Sequence, residues 1–143
     1  MLNFVSYDRI ICLCVSFFAK EAGEIPAYMS KQYSLGIDIG STTVKVAIID
    51  DSGSILFADY ERHFANIQET LALLLKRAVE ALGEMELYPV ITGSGGLTLS
   101  SRLEVPFVQE VVAVASSLQD YAPQTDVAIE LGGEDAKIIY FTG

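Results

Sequence analysis

The chain has 143 residues, of which 51% are hydrophobic and 20% are charged, and its formal net charge is −10. This length and composition predict a globular domain with a sizeable core. The acidic charge argues against nucleic-acid and anionic-membrane partners, because both bind basic surfaces, and we expect a cytoplasmic protein.

The N-terminal segment, residues 1–28, shows no clear period. Its apolar run, 10–18, is shorter than the roughly 20 residues of a membrane-spanning helix, and no clean signal-peptide cleavage site follows. Cys12 and Cys14 are expected to be free thiols, since strand neighbours two apart lack disulfide geometry. Met29 reads as a natural start, so we expect residues 1–28 to be an appendage or a misassigned start.

The remainder alternates between apolar runs and turn residues. Dense Ile and Val predict two strands, from Leu35 to Ile39 and Val44 to Asp50. A hairpin turn over "DDSGS", 50–54, leads to a third strand, Ile55 to Glu61, which shows partial alternation. Later elements are a helix from Asn66 to Leu82, a strand from Pro89 to Thr92, a helix from Leu97 to Leu103, a short strand near Phe107, a helix from about Gln109 to Leu118, and strands from Val127 to Leu131 and Ala136 to Phe141. This order predicts an α/β fold, a mixed sheet covered by helices.

The first helix has signals at both ends. Asn66 and Glu69 have the spacing of a capping box, and Gly83 is expected to end the helix.

A polar tip, "DIGSTT", joins the first two strands. Its small residues allow backbone N–H groups to approach phosphate oxygens, and its hydroxyls add donors. Asp38, at the end of the first strand, is placed to hold Mg²⁺ through water, and Lys45 can reach back from the second strand. The alternative is an ordinary polar hairpin whose Asp satisfies local amides.

The same scheme occurs again near the end of the chain. "ELGGEDAK", 130–137, repeats the order of strand, acid, glycines, polar tip and lysine. "TGSGG", 92–96, adds a glycine-rich turn that can accept an anion at a helix N-terminus. Two such hairpins in one short chain indicate a phosphate site much more strongly than one does.

These motifs resemble the acetate kinase/sugar kinase/heat-shock/actin superfamily of ATPases. Within it, the chain resembles the BadF/BadG/BcrA/BcrD-type activators of 2-hydroxyacyl-CoA dehydratases and benzoyl-CoA reductases, in their longer, multi-domain form. The resemblance covers residues 33–143, with "LGIDIGSTTVKVAIID", "TGSGG", "VQEVVAVA" and "AIELGGEDAKIIYF" in the family's order. It implies a ribonuclease H-like, mixed five-stranded sheet with flanking helices, with a first lobe over 33–122 and the truncated start of a second lobe over 126–143.

The resemblance also implies an ATP and Mg²⁺ site. It assigns catalysis to Asp38, Glu110 and Glu130, phosphate binding to Gly40, Ser41, Thr42, Thr43, Lys45, Gly93, Ser94, Gly95, Gly132, Gly133 and Lys137, and Mg²⁺ binding through water to Asp38, Glu130 and Asp135. Glu110 would orient or deprotonate the attacking water. The alternative for Glu110 is a solvated acid that the helix dipole favours.

In the resembled family, the activator is a homodimer with a bridging iron–sulfur cluster, and ATP hydrolysis drives an electron into an acyl-CoA dehydratase or reductase. The cluster cysteines of the family lie beyond the point where this chain stops, and Cys12 and Cys14 do not match them. We therefore expect the N-terminal portion of such an activator, with little or no hydrolysis of its own. The alternatives are a sugar or acid kinase, an actin-type scaffold, and a non-catalytic half-lobe that acts as an interaction module.

Overall fold

The computed structural model describes residues 33–131 and 136–141. The predictions for residues 1–28, including those for Cys12 and Cys14, lie outside the described residues. Within the described ranges the elements are β1 (Tyr33–Ile39), β2 (Thr43–Ile49), β3 (Ile55–Arg62), α1 (Ile67–Leu82), β4 (Leu87–Thr92), α2 (Gly96–Leu103), α3 (Glu110–Tyr121), β5 (Val127–Leu131) and β6 (Ala136–Tyr140). Apart from the short strand predicted near Phe107, the element types match the prediction, with boundaries that differ by a few residues.

The first four strands form one sheet in the order β3-β2-β1-β4. β1 runs antiparallel to β2 and parallel to β4, so the sheet is mixed, as predicted. β1 is buried continuously from Leu35 to Ile39, because a central strand covered on both faces has no solvent side. β3, at the edge, alternates between exposed and half-buried residues. The sheet therefore places the C-terminal end of β1 in the interior.

The predicted fifth strand near Phe107 is reduced to a single bridge. Phe107 pairs in parallel with Ile91 of β4, and two bonds flank it: Ile91 N–H to the Pro106 carbonyl, and Val108 N–H to the Ile91 carbonyl, both 2.9 Å. Pro106 has no N–H to extend the ladder, and α2 and α3 leave only a short segment between them. The described residues thus contain four strands and a bridge in this sheet.

Helix α1 covers the sheet through a helical stripe. Its buried residues are Thr70, Leu71, Leu74 and Ala78, which recur at the spacing that keeps one helix face towards a core. The three apolar residues among them, Leu71, Leu74 and Ala78, join a cluster with buried residues of β1, β2 and β4. This packing fixes α1 against the sheet.

The ends of α1 correct one prediction and confirm another. Asn66 is the N-cap residue, but its side chain makes no capping bond to the helix backbone. The Asn66 side-chain amide instead donates to the Glu69 carboxylate, because the carboxylate is the stronger acceptor. Gly83 ends the helix with φ 80° and donates its N–H to the Val79 carbonyl at 2.8 Å.

The predicted turn over 50–54 is confirmed. Gly53 N–H donates to the Asp50 carbonyl at 2.9 Å, and the N–H groups of Ser52 and Ser54 both donate to Asp50 Oδ1. These bonds close the β2–β3 connection and set the register between the two strands.

Candidate functional site

A buried ion pair lies at the end of β1. Asp38 faces Lys45 of β2 in the antiparallel register, and Lys45 Nζ donates to Asp38 Oδ2 at 2.8 Å. The Asp38 side chain is 1% exposed and the Lys45 side chain 19%. Asp38 Oδ1 is also buried and has no hydrogen-bond partner among the described residues. A buried carboxylate oxygen without a donor is costly, which makes Oδ1 a candidate acceptor for a ligand.

The turn between β1 and β2 forms the first tip, which we define as Gly40 to Thr43. Gly40 N–H donates to the Thr43 carbonyl at 3.0 Å and closes the turn. Ser41 is exposed, and Thr42 and Thr43 are half-buried. Four predicted phosphate-binding residues therefore lie together, directly after the buried Asp38.

The glycine-rich turn after β4 packs against the same end of β1. Gly95 N–H donates to the Ile39 carbonyl at 2.9 Å. Gly93 has φ 92°, and a Cβ added to it would lie 2.3 Å from Ile39 O and 2.4 Å from Asp38 Oδ1. Only glycine allows this approach. The turn thus brings Gly93 beside Asp38 and Gly95 beside Ile39, with Ser94 between them in the chain.

His63 also contacts the first tip, and the sequence analysis did not identify it. Its Nε2 lies 3.2 Å from the Gly40 carbonyl oxygen, and its backbone N–H donates to the Thr42 carbonyl at 3.1 Å. The residue is 8% exposed. The β2–β3 register pairs Thr43 with Arg62, so extending that register by one residue would have placed His63 beside Thr42.

The β5–β6 hairpin has an acid and a lysine at corresponding positions. Glu130 faces Lys137, and the next pair, Leu131 with Ala136, closes the ladder. Glu130 is buried. In the first hairpin, Asp38 faces Lys45 in the same way. The next pair, Ile39 with Val44, closes the ladder before the four-residue first tip. The two hairpins therefore share one register.

Glu110 lies at the start of α3 and pairs with the second hairpin. Lys137 Nζ donates to Glu110 Oε2 at 2.9 Å, with side chains 30% and 20% exposed. The structure thus brings together Glu110 and Glu130, which the resemblance assigned to catalysis, and Lys137, which it assigned to phosphate binding. The predicted residues Gly132, Gly133 and Asp135 lie outside the described residues.

The described residues contain neither a metal-ligand cluster nor a membrane-spanning helix. No group of three or more His, Cys, Asp or Glu side chains within 33–131 and 136–141 is arranged to hold a metal ion. None of the helices in these ranges is long and apolar enough to cross a membrane. Asp38 still fits the predicted Mg²⁺ role, because Mg²⁺ is often held by one or two carboxylates and keeps several waters.

Comparison with known proteins found no matching protein-family model. An uncharacterized protein of Methanocaldococcus jannaschii is 31% identical over 109 residues, which cover 73% of this chain and 42% of that protein. Among solved structures, the Acidaminococcus fermentans (R)-2-hydroxyglutaryl-CoA dehydratase component A is 24% identical, with a TM-score of 0.65 over 77% of this chain and 43% of that chain. The activator of the Clostridium difficile 2-hydroxyisocaproyl-CoA dehydratase, with bound ADPNP, is 24% identical, with a TM-score of 0.57 over 77% of this chain and 41% of that chain.

These likenesses confirm an α/β fold with a mixed sheet and flanking helices, which the chain shares with the two dehydratase components. It spans less than half the length of each of these relatives.

Proposed function

We propose that this chain is the N-terminal portion of an ATP-dependent activator of a 2-hydroxyacyl-CoA dehydratase-type enzyme, of the BadF/BadG/BcrA/BcrD type. The supporting observation is the buried Asp38 Oδ1, which has no partner among the described residues and lies beside a glycine-rich turn. It occurs in a fold shared with an activator that binds ADPNP. An acceptor without a partner at this place is readily explained if a metal-bound water donates to it.

In this proposal the first tip binds the β- and γ-phosphates. Backbone N–H groups and hydroxyls of Gly40 to Thr43 would face the phosphate oxygens, a common arrangement at tight turns. Lys45 holds Oδ2 of Asp38 and thereby leaves Oδ1 to hold Mg²⁺ through water. Mg²⁺ would neutralise charge on the phosphates.

The second hairpin would close over the phosphates from the other side. Glu130 and Lys137 occupy the positions that Asp38 and Lys45 occupy in the first hairpin. Glu110 is held by Lys137 in the described structure, so its first role is to position that lysine. It would orient water only after Lys137 turns to a phosphate.

The remaining features of the whole protein belong to the same proposal. The relatives are about twice as long as the matched span, and a nucleotide site between two lobes is completed by their closure. The cytoplasmic location, the homodimer, the iron–sulfur cluster and the acyl-CoA dehydratase or reductase partner would be properties of that whole protein. The isolated chain would bind nucleotide weakly and hydrolyse it little.

The test is a titration of the 143-residue chain with Mg²⁺·ADPNP, followed by NMR of the backbone amides. We expect shift changes at the first tip and the glycine-rich turn, and much smaller ones with Mg²⁺·AMP, which lacks the β- and γ-phosphates. Asp38→Asn should abolish the Mg²⁺ dependence, whereas Asp51→Asn, an exposed control in the next turn, should leave it unchanged. Unchanged tip amides at millimolar nucleotide would contradict the proposal.

A second candidate, an interaction module, is favoured by one observation. Alternate residues of β5 and β6 share one face of their hairpin, and its apolar side chains are exposed, namely Val127, Ile129, Leu131, Ile138 and Tyr140. An exposed apolar face of this kind promotes association. Sedimentation equilibrium of the chain with and without Mg²⁺·ADPNP distinguishes the candidates, because a module would associate irrespective of nucleotide.

A further inference from the structure

A short segment between β3 and α1 is hydrogen-bonded to the first tip. We call this segment the strap and define it as His63 to Asn66. The imidazole and the backbone N–H of His63 reach two successive parts of the tip, the carbonyls of Gly40 and Thr42. No role was assigned to the strap by the motifs that define the proposed nucleotide site.

The hydrogen bonds of the ring define its tautomer. Ala65 N–H donates to His63 Nδ1 at 3.0 Å, so Nδ1 must carry a lone pair and no proton. In a neutral imidazole the proton is then on Nε2, which faces the Gly40 carbonyl at 3.2 Å. Nε2–H therefore donates to Gly40, and both ring nitrogens are engaged.

The strap adopts an unfavourable backbone conformation to make these bonds. Phe64 has φ 44° and Ala65 has φ 66°, and two consecutive non-glycine residues in the left-handed region are uncommon. Asn66 N–H closes the turn onto the His63 carbonyl at 2.6 Å. Such strain persists only where surrounding contacts impose it, and it clusters near functional sites.

We propose that His63 is a positioning residue that orients the phosphate-facing amides of the first tip. The reason lies in peptide geometry: the carbonyl of Gly40 and the N–H of Ser41 belong to one planar trans peptide and point in opposite directions. Because His63 binds the Gly40 carbonyl, the Ser41 N–H points away from His63, towards the side from which a phosphate would approach. The same geometry applies to the Thr42 carbonyl and the Thr43 N–H. The inference rests on the proposed function.

Two substitutions separate the roles of the ring nitrogens. In His63→Asn, the shorter side chain can still accept from Ala65 N–H, as in an Asx-turn, but cannot reach Gly40. In His63→Gln, the longer side chain carries an amide donor towards Gly40. We expect His63→Asn to weaken Mg²⁺·ADPNP binding about three- to tenfold, the effect of one lost hydrogen bond, and His63→Gln to restore most of it, with similar urea midpoints for both variants.

Two ligand-free measurements test the inference separately from the proposed function. The chain contains a single histidine, so its ¹⁵N ring signals are unambiguous, and we expect the Nε2–H tautomer. We also expect the Gly40 amide, bonded to Thr43, to exchange faster in His63→Asn than in the wild type and in His63→Gln.

The possible outcomes are distinct. An Nδ1–H tautomer, or unchanged Gly40 exchange in His63→Asn, overturns the inference. Equal nucleotide affinity of His63→Asn and the wild type also overturns it. The inference is overturned as well if His63→Asn and His63→Gln weaken nucleotide binding equally and lose stability in parallel, because that result would show a purely structural role. If the wild type binds no Mg²⁺·ADPNP, the proposed function fails, and the tautomer and exchange data still decide whether His63 orients the tip.

Discussion

Two β-hairpins of this chain carry an acid and a lysine at the same register positions, but their surroundings differ. In the first, β1–β2, Asp38 and Lys45 lie within a four-stranded sheet. In the second, β5–β6, Glu130 and Lys137 lie in a two-stranded sheet with one exposed apolar face. Local sequence sets the register of both hairpins, whereas the elements packed around them determine how strongly each residue contributes to stability.

The difference is clearest at the residue before each tip. Ile39 is 0% exposed, and Leu131, at the corresponding position, is 74% exposed. Ile39→Ala should lower the free energy of unfolding by about 4 kcal/mol, the usual cost of truncating a fully buried aliphatic side chain. Leu131→Ala should change it by less than about 0.5 kcal/mol. Urea unfolding followed by circular dichroism measures both, and similar losses would show that another surface covers the second hairpin in solution.

The contact between β1 and the glycine-rich turn predicts the next effect. Gly93→Ala would place a Cβ against the backbone of Ile39 at a positive φ, and we expect a loss of about 3 kcal/mol from strain and overpacking together. Gly83→Ala is the matched control, because φ is also positive there but no atom lies within 4 Å of the added Cβ. It should cost about 1 to 2 kcal/mol, from the backbone strain alone. Equal costs would mean that the turn does not pack closely on β1.

The two lysines give a third comparison. Lys45→Met leaves the buried Asp38 without its cation, and we expect a loss of about 2 kcal/mol, below the value for a fully buried pair because a fifth of Lys45 is exposed. Lys137→Met should cost less than about 1 kcal/mol, since its pair with Glu110 is more exposed. Both are measured by urea unfolding at neutral pH. A larger loss for Lys137→Met would reverse the ranking of the hairpins.

Much of the fold and part of the site could be predicted from sequence. Dense Ile and Val predict the buried strands, because such residues pack well on a pleated surface. The cross-strand pair of Asp38 and Lys45 follows from a short tip between two strands, which fixes the register. These are local constraints, and a single sequence contains them.

The missed features depend on contacts between distant segments. Glu110 and Lys137 are 27 residues apart in the chain, and neither periodicity nor spacing indicates that they pair. His63 contacts Gly40 across 23 residues, through a strap with two left-handed residues that no glycine announces. The fifth strand was overpredicted because an apolar residue beside a proline resembles a strand in sequence, whereas Pro106 has no N–H to extend the pairing beyond one bridge.

The smallest expected effect concerns the strap, His63 to Asn66, which is hydrogen-bonded to the tip of the first hairpin. Ala65 is exposed and has φ 66°, so its methyl group adds strain without filling a core. Ala65→Gly removes that strain. Because the free energy of the relieved strain exceeds the cost of the greater entropy of the unfolded chain, we expect the free energy of unfolding to rise by about 0.5 to 1 kcal/mol. Ala58→Gly, at an exposed position within β3, should have the opposite sign and cost a similar amount, because glycine weakens a strand. If Ala65→Gly instead destabilised the chain, the left-handed turn would be absent in solution, and the His63 ring would lack the backbone that directs it to Gly40.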